Sequence, residues 1–206
     1  MVISYHGGEC FKVSFGDTTL AFNPVSKDSK LKPVRFGSDI VLSTLDHPDF
    51  RGIENASFGD RQPFVVTGPG EYEVKEITIK GFPSQSDFGK KGSLNTVYFV
   101  TLEGMNLCFL GALGTPDLQQ EAKQELDDVD ILFVPIGGEG VLDAAAAYKL
   151  AVKLEPHIVV PMHYENAALK VFLKEAGAEN TKPEDKLTLK KKDLEGKEVE
   201  VVVLSA

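Results

Sequence analysis

The sequence predicts one α/β domain in which two β-sheets pack together with helices outside, on three observations. Its first half is built of short strands, its second half alternates helical and strand segments, and no linker-like stretch separates the halves. At 206 residues the chain is ample for one sizeable core and short for two domains.

Residues 2–22 alternate β-branched and aromatic residues with polar ones and break at Gly7-Gly8 and Gly16-Asp17, which reads as a meander. Residues 38–44 (SDIVLST) form an apolar run of the kind covered on both faces, ending at a polar loop, LDHPDF. Short strands follow at 64–67, 71–74, 77–80, 96–102 and 106–110. After Pro116 the pattern changes: 117–126 has helical spacing, 130–136 (DILFVPI) is a buried strand, and 142–154 is a strong helix former with Asp143 near its start. Residues 157–162 (HIVVPM) are another buried strand, and 166–176 an amphipathic helix ended by Gly177. Residues 187–189 and 199–204 read as closing strands around a charged turn at 193–197, with Lys190, Lys191 and Lys192 on a solvated hairpin.

Composition removes some function classes. A formal charge of -9 repels phosphate backbones, and the lysines at 190–192 are the only basic run, so nucleic acid is not an expected partner. No segment offers the roughly 18 apolar residues of a membrane span, and the N-terminus lacks a signal-type apolar core. Cys10 and Cys108 lie far apart in apolar stretches, as buried free thiols do in a reducing compartment. A cytoplasmic location is expected.

Four stretches carry a resemblance: IVLSTLDHPDF at 40–50, TGPGEYEVKEITIKG at 67–81, NTVYFVTLEGMNLCFLGALG at 95–114, and residues 129–164 from VDILFVPIGGEG to PMHY. In order and spacing they resemble the metallo-β-lactamase superfamily, in particular its short metal-dependent hydrolase branch similar to the ascorbate-6-phosphate lactonases. The resemblance implies an αβ/βα four-layer sandwich of two mixed sheets. Its cleft should open at a sheet edge among the loops carrying His47, Ala112, Glu139 and His163.

In that family a buried strand delivers His-x-His-x-Asp-His, and a further His, a bridging Asp and a last His complete two metal shells that make hydroxide near neutral pH. Laid on this pattern, the chain keeps His47 and Asp49 but has Leu45 and Phe50 in place of histidines. The middle histidine falls near Ser86, the bridging Asp at Ala112, and Phe109 stands where related sequences often carry histidine. The last ligand survives as His163. His47 would serve one metal position, and Asp49 and His163 the other. With hydrocarbon lining the rest, no stable dinuclear centre is expected.

The leading expectation is therefore a protein of this fold without normal dinuclear hydrolase activity, acting by binding a small molecule or another protein, with no cofactor. The alternative is a hydrolase with a single zinc or other divalent metal held by His47, Asp49 and His163, acting on an ester, lactone or phosphoester. Asp49 is also its catalytic candidate. A third expectation is a subunit whose β-rich face pairs with a second copy. His6 and Glu9 are read as shaping the first turn, Cys10 as buried, His157 as a helix-end or surface residue, and GGEG at 137–140 as a tight turn.

Overall fold

Alternating polar and apolar residues make 2–22 the antiparallel meander expected of it: β1 (Val2–Tyr5), β2 (Phe11–Phe15) and β3 (Thr18–Phe22). The computed structural model describes residues 1–59, 62–125 and 128–206. β4 (Ile40–Leu42) and β5 (Phe64–Val66) add to β3 in parallel, with the short helix α1 (Ile53–Ala56) between them. The second sheet begins with β6 (Gly70–Val74), β7 (Ile77–Ser86), β8 (Ser93–Leu102) and β9 (Met105–Phe109), all antiparallel. It continues in parallel through β10 (Ile131–Pro135) and β11 (Ile158–Met162). Helix α2 (Gln120–Glu125) precedes β10, α3 (Ala144–Leu154) joins β10 to β11, and α4 (Asn166–Glu175) follows β11. The expected end of α2, at Leu126, lies outside the described residues.

The period-2 alternation of a strand explains how the layers are filled. Along β10, Ile131 and Phe133 point into the core between the sheets, with Phe11, Phe22 and Phe109, whereas Leu132 and Val134 face Ala147, Leu150 and Phe172 under the helices. Both sets are wholly buried or nearly so, which is why DILFVPI reads as a continuous apolar run. On the outer face of the first sheet, Ala21 and Val41 pack with Ala56 and Ile53 of α1. The result is the expected four-layer sandwich of two mixed sheets with helices outside.

Two elements differ from the sequence reading. β7 runs on to Ser86 rather than stopping at Lys80, because Pro83 lies beyond the last pair with β6, Gly70 with Gly81. There its missing N–H costs no ladder bond, while β8 still pairs with it on the other side. The closing strands do not form a hairpin. β12 (Leu187–Thr188) joins β1 in the first sheet and β13 (Glu200–Val201) joins β11 in the second. The lysines at 190–192 thus lie on a crossover, where Lys191–Leu194 form a 3-10 turn and Lys191 Nζ reaches the buried Asp130 over 2.7 Å. Cys10 and Cys108 are free and buried, as expected. Among the described residues no helix is long and apolar enough to cross a membrane.

Candidate functional site

The loops that leave β4, β10 and β11 at their carboxyl ends meet the β1–β2 turn at one sheet edge, where crevices form in α/β proteins. They enclose a pocket of about 430 Å³. Leu31, Asp49, Phe50, Phe88, Glu139 and His163 are among the residues that line it.

Backbone geometry at this edge is unusual. Asn23, Glu139 and His163 take the left-handed region, with φ of 44°, 53° and 53°, which residues other than glycine adopt only when their surroundings enforce it. His163 is held there by its N–H donating to Gly8 O over 2.7 Å. Gly8 takes a φ of 60°, and an added Cβ there would lie 2.9 Å from Leu31 Cδ1, so the absence of a side chain makes room for that leucine. GGEG is a tight turn, as read, closed by Gly138 N–H to Leu142 O, but it also forms a wall of the pocket.

His47 Nδ1 accepts the Asp49 backbone N–H over 3.2 Å; the Asp49 carboxylate, at 3.7 Å, is too far for a hydrogen bond. Asp49 Oδ1 instead accepts from Ser29 Oγ at 2.5 Å and so ties down the loop that carries Leu31. His163 Nδ1 meets Glu9 Oε1 at 2.8 Å, and Glu9 is wholly buried. Each imidazole packs against the same two phenylalanines: Phe88 is edge-on to both, at 5.0 Å from His47 and 4.7 Å from His163, and Phe50 lies 5.8 and 6.0 Å from them. His47, Asp49 and His163 therefore share one edge of the fold, each with a hydrogen-bond partner of its own. Among the described residues no three His, Cys, Asp or Glu side chains are grouped as metal ligands.

The remaining pattern positions are packed into hydrocarbon. Leu45, Phe50 and Ala112 form one buried cluster with Val141, against which Phe88 packs. A dication there would lose its water without gaining donors, so these residues do not fit a two-metal centre. Ala112 and His47 do not line the pocket, in contrast to the expected cleft. Ser86 is buried, and its Oγ accepts from Phe88 N–H over 3.1 Å. Phe109 is core, stacked on Phe22 at 4.7 Å.

Cys10 is buried as read, its thiol pushed up to about 12 by loss of solvent. His6 stacks on Phe36 at 5.1 Å, and burial, with Lys12 nearby, lowers its pKa. His157 is half-exposed, 3.3 Å from Asp130. Glu9, read from the sequence as shaping the first turn, also anchors His163, and Phe88 had no reading at all. A lone carboxylate inside the strand-like run YHGGECF was the available signal for the first; Phe88 in GFPSQSDFG offered none.

A mixed αβ/βα sandwich with a pocket at this edge defines the chain as a metallo-β-lactamase-like protein. The β-lactamase superfamily domain is matched over residues 2–163, and the chain belongs to that family. It is 29% identical to a UPF0173 metal-dependent hydrolase of Listeria innocua, covering 82% of this chain and 87% of the relative. It is 28% identical to another of that name from Bacillus licheniformis, covering 80% and 85%. A solved Thermotoga maritima structure, described provisionally as a Zn-dependent hydrolase of the metallo-β-lactamase superfamily, aligns with a TM-score of 0.78 at 26% identity, over 98% of this chain and 97% of that one.

Proposed function

We propose that the chain takes a small organic molecule into the pocket beyond β4, β10 and β11 and handles it with protein side chains rather than with a pair of metals. The observation that carries this reading is the hydrocarbon packing of Leu45, Phe50 and Ala112 beside a pocket that retains His163 and Asp49. The lining residues include Asp49, Glu139 and Glu165 and no lysine or arginine, which favours a neutral or positively charged ligand over a phosphoester. Phe50, Phe88 and Tyr164 supply the apolar wall such a ligand needs.

The names of the relatives, metal-dependent and Zn-dependent hydrolases, favour a second reading, a hydrolase; in this chain its metal would be a single ion held by His47, Asp49 and His163. Two imidazoles and a carboxylate suit a single transition metal with positions left for water. In this chain Asp49 Oδ1 is occupied by Ser29 and Phe88 packs against both imidazoles, contacts that such a site would have to accommodate.

Metal analysis of protein purified without chelator separates the two. The first reading expects metal well below one ion per chain and a melting temperature indifferent to chelator. It also expects neutral or cationic compounds that raise the melting temperature to lose that effect in Ala168→Trp, which fills the pocket. Close to one tightly held ion per chain, lost in His163→Ala, transfers the function to the hydrolase reading.

A further inference from the structure

We infer that Glu9 is a positioning residue that fixes which nitrogen of His163 carries the hydrogen. The side-chain Oδ1 of Asn23 accepts the Thr44 backbone N–H over 2.8 Å. A backbone N–H can only donate, so the Asn23 amide has one orientation, with its NH₂ directed at Glu9 Oε2 (2.8 Å) and Thr44 Oγ1 (2.9 Å). Glu9, Asn23 and Thr44 are all buried. With Oε2 occupied by Asn23, Oε1 is left for His163 Nδ1 at 2.8 Å. Where Glu9 is ionised its Oε1 can only accept, so a neutral imidazole facing it carries its hydrogen on Nδ1.

His163 belongs to the pocket wall, and with Nδ1 committed to Glu9 its Nε2 lone pair is the nitrogen left for a bound molecule. That use of Nε2 rests on the pocket reading given above; the tautomer itself does not. The pair joins the first turn of the chain to the loop after β11, across a separation of 154 residues. His163 Nδ1 and Nε2 thus have different assignments: the first anchors the ring, the second is held ready as an acceptor, as in carboxylate-backed histidines generally.

Glu9→Gln tests this with the shape preserved. Asn23 still donates to the glutamine oxygen, which turns the glutamine NH₂ toward His163 Nδ1. That nitrogen must then accept, and the hydrogen moves to Nε2. Long-range proton–nitrogen NMR of the full chain without ligand, at a pH above the ordinary histidine value of about 6.5, reads both nitrogens directly. The expected result is an unprotonated Nε2 in the native protein and exchange of the two nitrogens in Glu9→Gln, with the backbone amide spectrum otherwise retained. A hydrogen on Nε2 in the native protein overturns the assignment, whether or not the variant folds. An unchanged tautomer in folded Glu9→Gln also overturns it. Because no ligand enters the measurement, its failure is distinct from a pocket that takes up nothing, which would sink the proposed function alone.

Discussion

Ala112 is wholly buried, its N–H donates to Asn95 Oδ1 over 3.0 Å, and its methyl group sits with Leu45, Phe50 and Val141. A carboxylate placed there meets hydrocarbon and no hydrogen-bond donor from that cluster. Ala112→Asp, which restores the bridging residue of the family pattern, is therefore expected to lower stability by about 3 kcal/mol or more in urea unfolding. Added zinc should not restore it, because Leu45 and Phe50 provide no further ligand; recovery of native stability with zinc would show that the metal geometry persists beneath the phenylalanines. The identities of these positions were legible in the sequence, since the motif spacing around His47 and FLGALG places each of them. The role of Glu9 was not, because its partner lies 154 residues away and only the folded chain brings the two within 2.8 Å. Phe88 was equally hidden. What matters about it is the shared contact with His47 and His163, and no local pattern encodes a contact between three separate loops.

The elements carrying the site are held by loop-to-loop contact more than by their own propensities. An added Cβ at Gly137, just after β10, would lie 2.2 Å from the carbonyl oxygen of His163, just after β11. Backbone cannot yield as a flexible side chain does, so Gly137→Ala should cost about 2–4 kcal/mol and shift the His163 resonances. Asp143→Ala, further along the same connection, is the control. Its side chain caps α3 by accepting Ala146 N–H over 2.8 Å, and its loss should cost about 1 kcal/mol while leaving His163 unmoved. Equal spectral changes at His163 in both variants would mean that the whole connection, rather than the glycine contact, positions the imidazole. At this scale the sequence was informative where a signal is local. Asp143 and Gly177 bracket helices, and the run of apolar residues in β10 and β11 marks strands covered on both faces. It failed where sheet membership decides: β12 and β13 are two residues each, and nothing within them tells which sheet edge they complete.

Across the whole molecule, the two cores bury acidic groups that prefer to stay protonated. Burial pushes the Cys10 thiol from 9.0 up to about 12, and raises Cys108 further for the same reason. Burial likewise raises Tyr5 and Tyr98, whose hydroxyls donate to the carbonyls of Gly8 and Ser43. In the unfolded chain these groups ionise near their ordinary values, 9.0 for the thiols and 10.0 for the tyrosines, while the folded chain keeps its protons. The unfolded state then binds fewer protons, so stability falls as pH rises. Their contribution is fully present below pH 9.0 and is lost progressively above it, through the Cys10 value of about 12. Each group that ionises only on unfolding removes about 1.4 kcal/mol per pH unit once past its unfolded value. Urea unfolding at successive pH values should accordingly give a slope that starts with the thiols and steepens when the tyrosines join above 10.0. Cys10→Ala should leave about half of the thiol part of that slope, since Cys108 remains. A stability that stays level well beyond the unfolded thiol value would mean that the thiols ionise in place, and that the packing around Cys10 and Cys108 admits water where both side chains are otherwise sealed.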